Sequence, residues 1–200
     1  MRHLPLVALA TLLALPAAAH AQRAEYYFDL GATYASPLVT DDVLEPTEIQ
    51  QSIAPTGRIG AAVPFSNDFR VGAEIGFGSG GHEAEYGTTT NDLGGLSTLT
   101  LQATVGGPLI ERLRWRLAVG TIKYLPSEET GIFAQGGPWR PLAGVALEYR
   151  LPISSALDLR IVGRADVHSF TTDELGDRGF GASQWVQRYA LGVGLWRFGS

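Results

Sequence analysis

The sequence predicts an all-β fold, an eight-stranded antiparallel up-and-down transmembrane β-barrel, and three observations predict it. Apolar side chains recur at every second position in eight separate segments. The connections between those segments alternate long and short. Beyond the N-terminal leader, no apolar run approaches the roughly 18 residues of a membrane-spanning helix, so a membrane location requires a closed barrel.

The leader is Arg2, an apolar run over 4–19, and the small-x-small site Ala19-His20-Ala21. It reads as a signal peptide over 1–21 with cleavage before Gln22. Removing 21 of 200 residues leaves 179, enough for one barrel domain over 22–200 with eight strands of about ten residues. The chain has no Cys, so its stability comes from the closed sheet and its two packed faces rather than disulfides. The 25 Gly fit turns and a crowded interior and argue against long helices.

Strands are predicted over 24–35, 55–65, 69–79, 96–106, 113–125, 139–152, 157–170 and 184–198. The first sets the pattern: Tyr26, Phe28, Leu30, Ala32 and Tyr34 share one face, with Glu25, Tyr27, Asp29, Gly31 and Thr33 on the other. The second, fourth and sixth connections are brief: Ser66-Asn67-Asp68, the stretch around Gly107-Pro108, and Ile153-Ser154-Ser155. The other four are longer. Short turns at the periplasm and long loops outside would put both termini in the periplasm and the protein in the outer membrane.

The apolar face, carrying for example Ile59, Val71, Ile75, Leu101, Leu117, Leu147, Ile161, Leu191 and Val193, is read as lipid-facing. Aromatics gather at its two rims, Tyr26, Phe65, Phe69, Trp115 and Tyr149 at one and Tyr34, Phe77, Trp139 and Trp185 at the other, as interfacial girdles do. The same alternation turned inside out would give a soluble lipocalin-like barrel, but the girdles, the Gly on the polar face and the loop rhythm oppose that.

The polar face alternates charge with small residues. It carries Arg58, Arg70, Glu74, Arg114, Arg116, Glu148, Arg150, Asp158, Arg160, Arg164, Asp166, His168 and Arg188, joined by Glu25, Asp29 and Arg140. An eight-stranded barrel has room only for its own side chains, so this face is expected to form a packed structural network. Arginine suits it because its planar fork satisfies several carboxylate oxygens. A three-residue turn at Ile153-Ser154-Ser155 would set Arg150 opposite Asp158 and Glu148 opposite Arg160. The alternative shift sets Arg150 against Arg160, a like-charge pair.

Twelve acids fall in the four long loops (Asp41, Asp42, Glu45, Glu48, Glu83, Glu85, Asp92, Glu128, Glu129, Asp173, Glu174, Asp177) against one base, Arg178. The net charge of -5 thus conceals an acidic outer surface above a cationic lumen, which argues against a nucleic-acid partner. Collectively those acids could hold divalent ions and bridge to lipopolysaccharide phosphates.

Catalytic and ligand signals are sparse. Asp166 and His168 share a face about 7 Å apart, but Ser169 points the other way, so His168-Ser169 is no dyad within a regular strand. The pair reads as structural, at the outer rim of the lumen. His82-Glu83-Ala84-Glu85 reads as a solvated loop, because a hard cation needs several oxygens in a fixed cage. Gly192-Val193-Gly194 is not followed by a helix and relieves crowding instead of cradling phosphate. No catalytic residue, cofactor or metal site is expected.

The layout resembles the eight-stranded outer-membrane barrels of the OmpA transmembrane-domain and OmpX/Ail type across residues 24 to 198. The last strand, Tyr189 to Phe198, is similar to the C-terminal signal that barrel-assembly machinery reads in that family. Gly199 and Ser200 follow Phe198, and Trp196 and Phe198 have the opposite parity from Leu191, Val193 and Leu195; a bulge near Leu195 would reconcile them, or the strand ends there. No peptidoglycan-binding domain is seen after the barrel, so cell-wall anchoring is not carried over. The expectation is a monomeric, non-enzymatic surface barrel in contact with outer-membrane lipid and lipopolysaccharide, serving envelope integrity, adhesion or defence. An outer-membrane enzyme acting on lipid or lipopolysaccharide, and a narrow pore, are the alternatives.

Overall fold

The computed structural model describes residues 24–41, 47–66, 69–177 and 184–198. The leader, Asn67-Asp68, the acids Asp42 and Glu45, Arg178 and the final Gly199-Ser200 lie outside the described residues. In chain order the strands are β1 (Glu25–Ala35), β2 (Val39–Asp41), β3 (Thr47–Gln51), β4 (Ala54–Pro64), β5 (Arg70–Tyr86), β6 (Thr89–Pro108), β7 (Leu113–Pro126), β8 (Trp139–Ser154), β9 (Leu157–Phe170) and β10 (Gln184–Arg197). Between β7 and β8 lies a 3-10 turn, Gly131–Phe133, and between β9 and β10 the short helix α1, Asp173–Asp177.

Eight of these strands close a ring: β4 through β10 pair in sequence, and β1 pairs with both β4 and β10, all antiparallel. Closure removes every free edge within the wall. Period-two alternation then separates the faces completely. Ile59 and Leu191 on the outside are 61% and 68% exposed, while Arg160 and Glu148 on the inside are 0% and 1% exposed. Large apolar side chains outside and guanidiniums inside are the reverse of a lipocalin, so the soluble inside-out reading is overturned. The aromatic rims are present, with Phe69 against both Phe65 and Trp115 at one end and Trp139 and Trp185 exposed at the other.

The two ends differ, and are called the turn end and the loop end. Both termini of the ring meet at the turn end, where Tyr26 faces Arg197. At the loop end the third connection, expected to be a long loop, is continuous strand. β5 and β6 run on past the barrel and close through Gly87 and Thr88, with Gly87 at a φ of 58° that favours glycine. The β2–β3 hairpin adds to this extension by pairing with β5 from Thr47↔Tyr86 to Gln51↔His82. His82-Glu83-Ala84-Glu85 is therefore strand rather than loop.

Two expected registers also change. The β8–β9 hairpin turns through Ser155 and Ala156 with an irregularity between Pro152 and Ser154, setting Arg150 opposite Arg160 and Glu148 opposite Val162. The like-charge pair is tolerated because inward side chains of a narrow barrel are not confined to their cross-strand partner. Glu148 accepts from Arg150 at 3.1 Å and lies 3.4 Å from Arg160, so one carboxylate serves both. β10 has no bulge at Leu195: its pairing is unbroken on both sides. Trp196 simply points inward and is buried.

Candidate functional site

The lumen is built from inward positions of all eight wall strands, and its lower part is one connected ionic chain. Arg150 Nη2 meets Glu148 Oε2 at 3.1 Å, and Arg116 bonds the other Glu148 oxygen. Arg116 Nη1 reaches Glu74 Oε2 at 2.7 Å, and Arg164 bonds Glu74 Oε1. Arg164 Nε then meets Asp166 Oδ2 at 2.7 Å, with Arg58 Nη2 at 3.6 Å from the same oxygen. Arg160 Nε lies 2.9 Å from Asp29 Oδ1. Arg70 Nε donates to Glu25 Oε2 at 2.5 Å, and Trp196 Nε1 donates to that oxygen at 2.9 Å.

An aromatic pair threads this chain. Tyr27 and Trp196 stack with ring centroids 4.7 Å apart, and the guanidinium of Arg150 lies 3.6 Å from the Trp196 centroid. Arg116 and Arg160 approach the Tyr27 ring at 4.4 and 4.5 Å. Stacked planar cations gain attraction from the ring face while their edges remain free for carboxylates. The Tyr27 hydroxyl donates to Glu74 at 2.9 Å and accepts from Arg116 at 2.9 Å. Glycine makes this possible: a Cβ on Gly60 would sit 2.2 Å from the Tyr27 ring, and one on Gly144 would meet the Asp166 carboxylate at 1.8 Å. The sequence places Tyr27 inward and gives Trp196 the parity opposite to the lipid-facing residues, but it assigns neither ring a part in the network.

Toward the loop end the inward face changes character. Arg188 donates to Gln51 at 2.9 Å and to Thr98 at 3.3 Å, and Tyr124 shares a 2.6 Å hydrogen bond with His168 Nε2. His168 and Asp166 thus face one way but bond to different partners. Above them lies an apolar cap that sequence reading missed. Leu96, Ile122, Tyr124, Leu142, Phe170 and Val186 from strand tops pack with Leu38, Ile49, Phe133 and Leu175 from the connections. Phe133 is its keystone, with Tyr124, Phe170 and His82 at 6.2, 6.0 and 5.7 Å. The signal existed: Ile122, Tyr124, Leu142, Phe170 and Val186 all have the inward parity of the arginines below them.

His82 closes the cap from the β5 extension, with its Nδ1 3.0 Å from the Gly94 carbonyl. Burial pushes its pKa below the ordinary value, opposed by the Gly94 hydrogen bond and the Asp92 charge. The other face of that extension is acidic. Glu48 faces Glu85 across the β3–β5 ladder, and Glu83 faces Asp92 across β5–β6. Among the described residues no group of three or more His, Asp or Glu has the arrangement of a metal site.

No family model matches the chain, and no curated protein is similar to it. Solved structures are. Neisserial surface protein A aligns with a TM-score of 0.57 at 12% identity, covering 87% of this chain and 96% of its own. This chain has the fold of the small outer-membrane β-barrels. OprG from Pseudomonas aeruginosa matches at a TM-score of 0.51 and 9% identity over 87% of this chain and 95% of its own. The outer-membrane protein AlkL matches at 0.53 and 13% over 88% and 89%. At these identities the likeness concerns the barrel, and the lumen and cap residues must be argued on their own geometry.

Proposed function

We propose that the chain is a non-enzymatic outer-membrane surface barrel that holds a rigid acidic sheet outside the cell, in the service of envelope integrity, adhesion or defence. The observation that carries this is the extension of β3, β5 and β6 beyond the barrel, with Glu48 opposed to Glu85 and Glu83 to Asp92. Directly opposed like charges destabilise a sheet, so a patch held this way is a cost to folding that a binding role explains. Its inner face, with Ala84 and His82 buried, fixes the acids in position by packing on the cap.

Short connections at one end and long ones at the other support an orientation with the loop end outside and both termini in the periplasm. The ionic network is then structural, filling the lumen and keeping the wall rigid. His168 is closed off beneath the cap and bonded to Tyr124, which supports a structural role for it over a catalytic one. The partners that fit are outer-membrane lipid, lipopolysaccharide bridged through divalent cations to the loop acids, and the assembly machinery acting on the last strand. The barrel itself is taken as a monomer.

The test is deletion of the gene, with permeability, serum survival and adhesion measured. Complementation then uses the wild type and a form carrying Glu48→Gln, Glu83→Gln, Glu85→Gln and Asp92→Asn. The reading expects a deletion phenotype that wild type restores and the neutralised form does not, at equal surface levels. Full restoration by the neutralised form would refute the role given to the acidic sheet.

A further inference from the structure

Lysine occurs once in the chain, at position 123. It stands on β7 with the outward parity of Leu117, Val119 and Thr121, so it belongs to the lipid-facing wall and not to the lumen. Its neighbours form one row over four strands: Phe77 faces Leu99, Leu99 faces Lys123, and Lys123 faces Trp139. That row runs through the aromatic rim at the loop end. Below Gly81, Lys123 is the only charged side chain on the outer face of these four strands among the described residues.

An ionic group on a lipid-facing wall is costly unless something meets its charge. The Lys123 ammonium lies 5.5 Å from the Trp139 ring centroid and forms no ion pair among the described residues. The ring holds the cation at the rim and leaves its N–H donors free. A second unmet donor stands beside it. Ser97, paired with Leu125 and so diagonal to Lys123, donates to Ser79 at 3.1 Å, and Ser79 has no acceptor of its own among the described residues. From β5 to β8 these groups span three strand spacings, about 14 Å.

We propose that this strip binds a phosphorylated glycolipid of the outer leaflet, the lipid A part of lipopolysaccharide. Lys123 meets a phosphate as a point charge, and the Ser79 hydroxyl donates to an oxygen of the same headgroup. A disaccharide bearing phosphates is broad enough to cover both donors, whereas the single phosphate of a phospholipid is not. The inference rests on the reading above that the loop end faces outward. It differs from bridging through divalent cations, because Glu83, Glu85 and Asp92 stand further out and Lys123 reaches phosphate directly.

The folded barrel in detergent micelles, made with isotope-labelled lysine, gives one lysine side-chain signal to follow by NMR. Lipid A carrying both phosphates should shift it saturably. Dephosphorylated lipid A and phosphatidylglycerol should each bind about tenfold more weakly. Native mass spectrometry should show Lys123→Gln retaining about tenfold less lipid A than the wild type and Lys123→Arg retaining most of it. Ser79→Ala should cost about threefold. A shift of the wild-type signal by phosphatidylglycerol or dephosphorylated lipid A at the same concentrations would overturn the site, as would unchanged retention by Lys123→Gln. An epitope placed between Gly87 and Thr88 and read by antibody on intact cells tests the orientation separately. Its inaccessibility would overturn the outer-leaflet assignment even where lipid A binds in micelles, so a failed site and a reversed barrel give different results.

Discussion

The lower lumen and the cap at the loop end fill the same barrel with opposite chemistry. Below, guanidiniums, carboxylates and two stacked rings form one chain in which Glu74 serves Arg116, Arg164 and Tyr27 together. Above, Phe133, Phe170, Leu96 and Val186 exclude water by contact alone. The difference teaches where each kind of packing can be tolerated. A buried ionic chain is all or nothing, since removing one member strands the others, whereas an apolar layer loses only the contacts of the deleted atoms.

That contrast is broken most severely at Glu74. Glu74→Ala leaves two buried guanidiniums facing each other and should destabilise the barrel by about 3–5 kcal/mol. Urea unfolding in lipid vesicles measures this, and replacing Arg116 and Arg164 by Met in the same chain should recover much of the loss. Gly60→Ala comes next. Its Cβ displaces Tyr27 from the stack, for a cost of about 1–3 kcal/mol by the same measurement. Phe133→Ala should act locally: amide exchange at Leu96, Leu142 and Phe170 quickens by tenfold or more, while the urea midpoint of the wall moves little.

The smallest effect is a pH dependence confined to the cap. His82 is held neutral by burial, so the folded cap takes up its proton less readily than the unfolded segment does. The His82 contribution is complete above about pH 6.5, the ordinary histidine value, and declines as pH falls below it. Exchange at the amides of residues 82–96 should therefore quicken on acidification in the wild type and lose that response in His82→Asn.

The same contrast marks what was legible in the sequence. The wall strands and the faces of Arg58 through Arg188 followed from period two, because a one-residue slip would expose every charge to lipid. Pairing within the lumen did not follow. Glu148 reaches Arg116, Arg150 and Arg160 across a space, and a cross-strand rule applied to one hairpin cannot see the third dimension. Trp196 has inward parity in the sequence, but the bulge invoked near Leu195 would have turned it outward; without a bulge it stays inside and buried. The cap was half legible: Ile122, Tyr124 and Phe170 continue the inward parity, but Leu38, Phe133 and Leu175 come from connections that carry no periodicity. The β5–β6 extension was hidden by its Gly and acids, which resemble loop composition.

The central claim is that the lumen is a packed plug and not a passage. Single-channel recording of the purified wild-type barrel in planar bilayers tests it most directly. The ionic chain and the cap together predict a silent bilayer under an applied potential. Regular conductance steps that persist in protein purified to a single species would contradict it.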